Sequence, residues 1–159
     1  MTAVEIRPAR RDELRATEEV RVASWRTAYR GIVPDDVLDA LSVSSEKVAW
    51  LEERYDAGDI GSLVAVAEGR VVGMAFHGPC RDEDRWGERE LYALYVLPSH
   101  WGSGAGQGLL DGCRPVTSLW VLADNARARR FYERNGFRPE GSKEITFGVP
   151  LLEVRYLLA

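Results

Sequence analysis

Long apolar segments are absent from this sequence, and their absence excludes two classes of protein. No run approaches the roughly 18 consecutive apolar residues that a membrane-spanning helix needs. The N-terminal stretch "MTAVEIRPARRDEL" is charged from residue 5 onward and lacks the apolar core of a secretory signal peptide. We therefore expect a cytoplasmic protein that does not associate with a membrane.

Cysteine and histidine are scarce, with two of each among 159 residues. Cys80 and Cys113 lie far apart and show neither a CxxC motif nor a Cys/His spacing that would bind a metal. Neither His77 nor His100 is spaced to activate a thiol. We interpret both cysteines as small buried or half-buried side chains, and the sequence predicts no metal site.

Basic segments are also missing. The net charge is −4, and Lys47 and Lys143 are the only lysines in the sequence. No run of like charge stands out, and there are no internal repeats or low-complexity stretches. This balance argues against a protein dedicated to binding nucleic acid.

What the chain does contain is an ordered series of strand and helix patterns. Its length and its 45% hydrophobic residues suit a single domain over residues 1–159. The patterns run β-α-α-β-β-β-α-β-α-β-β, which predicts a mixed α/β fold, one sheet of about six to seven strands with helices on its faces. Strands are predicted in "AVEIRPA", "SLVAVAE", "RVVGMAFHG", "ELYALYVL" and "TSLWVLA", and two more in "KEITFGVPLLEVRYLLA"; helices are predicted from Arg11 to about Tyr29, between Asp36 and Gly58, before Pro115, and in "DNARARRFYERNGF".

The stretch "LPSHWGSGAGQGLLDGC" places glycines at 102, 104, 106 and 108, where a helix should begin. Each glycine inside a helix costs about 1 kcal/mol relative to alanine. Free amides at a helix start bind anions, and glycine lets a phosphate approach them. A Walker A loop would need a nearby lysine, and a G-x-G-x-x-G fingerprint would need glycine where Gln107 or Leu109 stands. The glycines alone leave two alternatives open, a phosphate-binding loop or a loop and helix packed tightly on the sheet.

Two motifs together resemble the GNAT acetyltransferase superfamily. The first is "WGSGAG", from Trp101 to Gly106, which resembles the acyl-CoA loop of that family. The second is "LWVLADNARARRFYERNGF". The resemblance implies a central strand followed by the glycine loop and a helix. It also implies acetyl-CoA as co-substrate. Trp101 departs from the glutamine or arginine usual at its position.

The resemblance assigns cofactor contacts to the loop, the central strand and the following helix. Loop amides would hold the pyrophosphate, and the central strand would bulge and splay from its neighbour to bind the pantetheine. Arg129 and Arg130 would neutralise a phosphate, although arginines on a helix face are commonly only solvated. The expected cofactor-binding residues are Leu94, Val96, Trp101, Gly102, Ser103, Gly104, Ala105, Gly106, Asn125 and Arg129.

The same resemblance assigns the chemistry to two side chains. Tyr132 would donate a proton or hydrogen bond to the thioester sulfur, the alternative being a tyrosine packed beside Phe131. Glu90 would act as general base at the start of the central strand, the alternatives being a water chain or a solvated strand-end carboxylate.

The acceptor region carries the weakest pattern. Trp25, Tyr29 and Tyr92 would line the acceptor pocket, although ordinary core aromatics explain each of them equally well. The expected reaction is direct acetyl transfer from acetyl-CoA to a primary amine of a small molecule or a peptide N-terminus. The alternatives are a non-catalytic acyl-CoA-binding module and a nucleotide-phosphate binder. The helix before Pro115 is expected to be shorter than is usual in the family, which changes one sheet edge and leaves a homodimer open.

Overall fold

The computed structural model describes residues 3–159, which form one seven-stranded sheet with five α-helices. The strand order is β1-β2-β3-β4-β5-β7-β6, and β4–β5 is the parallel pair. This confirms the predicted mixed α/β class. The elements are β1 (Glu5–Pro8), α1 (Leu14–Ala28), α2 (Asp35–Asp39), α3 (Ser45–Ala57), β2 (Gly61–Ala67), β3 (Arg70–Pro79), β4 (Arg89–Val96), α4 (Ala105–Gly112), β5 (Ser118–Leu122), α5 (Ala126–Arg134), β6 (Phe137–Phe147) and β7 (Val149–Leu158).

Apolar clusters hold helices to both faces of the sheet. On one face, Leu109 and Leu110 of α4 pack with Leu119 of β5 in the largest buried cluster. On the other, Leu14 of α1 and Leu51 of α3 pack on β3. No helix within residues 3–159 is long and apolar enough to cross a membrane.

The central strands diverge at the middle of the sheet. β4 pairs with β5 at Glu90–Ser118 and Leu91–Leu119, after which the two strands separate. The β3–β4 register also shifts between Phe76 and His77, so β4 bulges against its other neighbour. The expected bulge and splay are therefore confirmed. Because backbone polar groups need partners, the divergence leaves a seam suited to a ligand with amide groups.

The predicted start of β6 was wrong. It begins at Phe137, before the predicted Lys143, because the segment "FRPEGS" pairs with β7 although it is mostly exposed. An edge strand needs few buried side chains, so the apolar pattern did not mark it.

The glycines of the loop and of α4 serve two different purposes. Gly102 and Gly104 have φ of +77° and +87°, a backbone conformation that other residues rarely adopt. Gly108 and Gly112 instead let α4 approach the sheet, since a Cβ would lie 2.7 Å from Ile6 Cγ1 and 2.6 Å from Leu63 Cδ1, respectively. Tight packing thus explains Gly108 and Gly112, and backbone conformation explains Gly102 and Gly104. Neither reason applies to Gly106, where a Cβ would make only ordinary contacts, 3.7 Å from Phe131 Cε1 at the nearest.

Candidate active site

The glycine loop presents unpaired amides to a cavity of about 400 Å³. The N–H groups of Gly102, Gly104, Gly106 and Gln107 donate to no protein acceptor anywhere in residues 3–159. All four residues line the cavity. They precede or begin α4, so the positive end of its dipole adds to their attraction for an anion.

The side chains of Ser103 and Ala105 are not brought into this cavity. Ser103 Oγ donates to the His100 carbonyl at 2.6 Å, and Ala105 is 1% exposed within the core. The resemblance places the cofactor contacts of this loop on its amides, and these two amides already donate within the protein, Ser103 N to the His100 carbonyl at 3.3 Å and Ala105 N to Ser103 Oγ at 3.3 Å. The cofactor contacts of Ser103 and Ala105 stay predictions without support from this geometry.

Trp101 closes one side of the cavity through two contacts. Its Nε1 donates to the Val96 carbonyl at 2.9 Å, and the Arg127 guanidinium lies 3.8 Å from the centre of its ring. A guanidinium at this distance makes a cation–π contact. The contact between Trp101 and Arg127 therefore joins the loop to the start of α5. Trp101 stands at the position where glutamine or arginine is usual in the family that the loop resembles.

The arginines of α5 fall into two groups according to whether they line the cavity. Arg127, Arg130 and Arg134 line the cavity. Arg129 does not: its Nε donates to the Tyr156 hydroxyl at 2.7 Å and its Nη1 to the Ala123 carbonyl at 2.9 Å. Residues three or four positions apart share a helix face, whereas residues two apart do not.

Asn125 and Tyr132 both lie where this cavity meets a second one. Asn125 caps α5, its Oδ1 accepting from the Ala128 amide at 3.2 Å. Tyr132 is 7% exposed, and its ring makes edge contacts with Phe131 and Phe137. Burial raises the pKa of the Tyr132 phenol, so it remains protonated and able to donate.

The second cavity, of about 530 Å³, lies beyond the seam. Trp25, Tyr29 and Tyr92, the predicted acceptor residues, all line it. Trp25 Nε1 donates to the Tyr95 hydroxyl at 2.8 Å. This hydrogen bond connects α1 and β4, which form two walls of the second cavity. Leu94, predicted to contact the cofactor, borders both cavities, and Val96 borders the first.

Glu90 is buried in an ion pair and borders neither cavity. Its Oε1 accepts from the Arg81 amide at 3.0 Å and Nε at 3.2 Å, and its Oε2 accepts from Nη2 at 2.6 Å. The residue is 1% exposed. The solvated carboxylate considered from the sequence is therefore wrong. The base role of Glu90 stays a prediction, which this geometry does not support because the carboxylate lines neither cavity.

The two cysteines are buried, as expected. Cys80 lies 3.5 Å from the Ser118 hydroxyl, and burial raises the pKa of Cys113 to about 12. In the part of the chain that the structure describes, no three His, Cys, Asp or Glu side chains cluster as metal ligands.

Several cavity residues escaped the sequence analysis, which named Arg130 among the arginines of α5 that line the first cavity but not Arg127 or Arg134. These two had a usable signal, since residues 127, 130 and 134 recur at helical spacing after the Asn125 cap. The others had none, because strand register and chain reversal bring them together. They are Tyr95, Trp120, Lys143 and Glu153.

Comparisons with known proteins agree with this geometry. A model of the acetyltransferase (GNAT) domain matches residues 59–139. An uncharacterized N-acetyltransferase of Bacillus subtilis, YuaI, is 36% identical over 163 aligned residues, covering 95% of this chain and 90% of that protein.

Two solved structures share the fold. PaiA N-acetyltransferase from Thermoplasma acidophilum, in complex with coenzyme A, has a TM-score of 0.75 at 24% identity and covers 98% of this chain and 99% of its own. YncA from Salmonella typhimurium, solved with acetyl-CoA, has a TM-score of 0.68 at 26% identity, with 99% and 95% covered. Together with the glycine loop and the α5 motif, these matches show that the chain belongs to the GNAT superfamily of acetyl-CoA-dependent N-acetyltransferases.

Proposed function

We propose that this protein transfers the acetyl group of acetyl-CoA to a primary amine of a small molecule or a peptide N-terminus. One observation carries the proposal: the unpaired loop amides open into a cavity that meets an aromatic cavity at Tyr132. A thioester carrier on one side and an amine on the other would meet at the seam between β4 and β5.

The donor side fits a pyrophosphate. Four free amides at the start of α4 supply hydrogen bonds. Three of them belong to glycines, so no Cβ hinders the approach of a phosphate there. Arg127, Arg130 and Arg134 add positive charge along the same cavity. Asn125, at the head of α5, stands between this cavity and the reaction centre. Arg129 has no part in the proposal because its guanidinium is held by Tyr156 and the Ala123 carbonyl and lines neither cavity.

Tyr132 supplies the acid. Transfer from a thioester to an amine releases a thiolate, and a proton or hydrogen bond at sulfur stabilises that charge. The raised pKa keeps the phenol protonated at neutral pH, and its position at the meeting of both cavities suits this role.

Calorimetric titration tests the donor site. We expect acetyl-CoA to bind in the micromolar range and ATP to give no heat. Weaker binding of dephospho-CoA would show that a cavity arginine contacts the 3′-phosphate. Absence of acetyl-CoA binding would contradict the proposal.

Turnover then separates an enzyme from a binding module. Release of free CoA in the presence of a panel of primary amines would support catalysis. Tight acetyl-CoA binding with no turnover over the whole panel would instead support a non-catalytic acyl-CoA-binding module.

A further inference from the structure

We propose that Glu153 binds the ammonium group of the acceptor and takes its proton, and that the acceptor is a primary amine with an aromatic or other apolar body. This inference rests on the proposed function. It assigns the base to β7 instead of to Glu90 on β4.

Glu153 reaches the second cavity from the strand next to β5. It pairs with Leu122 of β5 on one side and with Lys143 of β6 on the other. Its side chain is 21% exposed and borders the same cavity as Tyr132. The carboxylate and the phenol therefore face one enclosed space that opens at the seam.

The Glu153 carboxylate has no hydrogen-bond donor among the residues that the structure describes. Its nearest cation is Lys143 Nζ at 4.0 Å, the outer limit of an ion pair. The Lys143 ammonium also lies 3.9 Å from the centre of the Trp120 ring, so it interacts with this ring as well as with Glu153. A half-buried carboxylate without a donor is costly, and a substrate ammonium would supply the missing hydrogen bonds.

Besides Lys143 and Glu153, this cavity has two charged side chains, and each of them already has a partner of its own. Arg81 is paired with Glu90. Asp82 accepts from Trp120 Nε1 at 2.9 Å and lies 3.4 Å from Arg155. Glu153 is therefore the carboxylate of the cavity left to compensate an incoming cation.

Aromatic rings form much of the remaining wall and define the substrate class. Rings attract a cation over their faces and pack against an apolar body. The rings belong to Trp25, Tyr29, Tyr92, Tyr95 and Trp120.

Two protons leave the substrate nitrogen during the transfer, one through Glu153 and one through Tyr132. Glu153 takes one proton from the substrate ammonium and later releases it to solvent. The neutral amine nitrogen then forms the C–N bond with the acetyl carbon, and the C–S bond breaks. The sulfur takes the Tyr132 proton, and the second nitrogen proton returns to the Tyr132 oxygen. The products are the N-acetyl amide, free CoA and one proton.

The electrostatic surroundings support a base that titrates above the ordinary range of a carboxylate. Burial raises the pKa of Glu153, and the charge of Glu90 raises it further. Lys143 from β6 and Arg81 from the end of β3 oppose the rise. Tyr95 of β4 borders the same cavity, and burial, with a smaller contribution from the Glu153 charge, raises the pKa of its phenol. Activity should therefore fall as the pH drops through the raised pKa, because only the ionised carboxylate accepts a proton.

Binding of two matched probes tests the ammonium site. We expect tryptophan fluorescence to show phenethylamine binding at least about 10-fold more tightly than phenethyl alcohol, which lacks the charge. Glu153→Gln should remove this preference. Glu144→Gln, at a neighbouring exposed position outside the cavity, should keep it. A wild-type protein without the preference, or a Glu153→Gln variant that retains it, would overturn the proposal.

Turnover tests the proton transfer. Glu153→Gln should lower kcat/KM for phenethylamine about 10²-fold and abolish the acid limb of its pH profile. An acid limb kept by Glu153→Gln and lost in Glu90→Gln would return the base role to β4. Titration of wild type and both variants with acetyl-CoA distinguishes failure of the proposed function from failure of this inference. A wild-type protein that does not bind acetyl-CoA would contradict the proposed function. Normal acetyl-CoA binding by Glu153→Gln together with an unchanged ammonium preference would contradict only the role of Glu153.

Discussion

Two arginines that lie two positions apart on α5 differ in their surroundings. The Arg127 guanidinium stacks on Trp101 and borders the donor cavity, whereas Arg129 donates to Tyr156 and Ala123. One is placed to meet a ligand, and the other ties the helix to the sheet. Substitution should therefore change a different property at each position.

We expect Arg127→Ala to weaken acetyl-CoA binding about 10-fold, or about 1.4 kcal/mol, with little change in stability. Arg129→Ala should lower the free energy of unfolding by about 1–3 kcal/mol, because hydrogen bonds from a charged group are lost. Calorimetric titration and urea unfolding of both variants measure the two effects. The same affinity loss in both would contradict the separation.

Tyr132 offers a second prediction at this scale. Tyr132→Phe should lower kcat about 10²-fold while acetyl-CoA binding is retained, because the hydroxyl acts only as charge develops on sulfur. Tyr55→Phe is the matched control, since its hydroxyl donates to the Ala9 carbonyl at 3.1 Å, outside both cavities. Equal activity of the two variants would remove the tyrosine from the chemistry.

The helix α4 depends on the absence of side chains at Gly108 and Gly112. Gly108→Ala should lower the free energy of unfolding, because the clash of the new methyl with Ile6, at a cost of about 1–3 kcal/mol, exceeds the gain of about 1 kcal/mol in helix propensity and forces α4 away from β1. Gly141→Ala on β6 is the control, since nothing lies within 4 Å of its Cβ position. Thermal unfolding of both variants distinguishes the effect, and equal stabilities would show that the sheet accommodates the methyl.

Local sequence was sufficient for most elements and insufficient for much of the acceptor cavity. The central strand, the loop and the cap of α5 each carry their signal within a few residues. The start of β6 does not, because its polar residues are held by pairing with β7. Glu153 and Lys143 are adjacent only through the β6–β7 register, which cannot be read from the sequence. Whether the Arg129 side chain points to the cavity or to Tyr156 depends on the residue at which α5 begins.

At the scale of the whole molecule, the sheet has two halves joined at one short parallel pairing. β1 to β4 form one half, and β5, β7 and β6 form the other. A ligand in the seam would contact both halves. Its binding should therefore stabilise the entire fold.

Acetyl-CoA at 100 times its Kd should stabilise the protein by about 2.7 kcal/mol. For a chain of this size, this corresponds to a rise in Tm of roughly 5–10 °C. Differential scanning fluorimetry over a concentration series measures it. Hydrogen exchange should slow on both β4 and β5; slowing confined to the loop would show that the ligand does not bridge the halves.

The two cavities share lining residues of α1, β4 and α5, and they differ in the glycine loop, which lines the first, and in the β5–β7–β6 half of the sheet, which lines the second. Under the proposed function, acetyl-CoA and the amine occupy different cavities, so both can be bound at the same time. Both thiols are buried, so an acetylated cysteine has no place in the cycle. Steady-state rates measured against both substrates should give intersecting double-reciprocal lines, and parallel lines would indicate a double-displacement cycle.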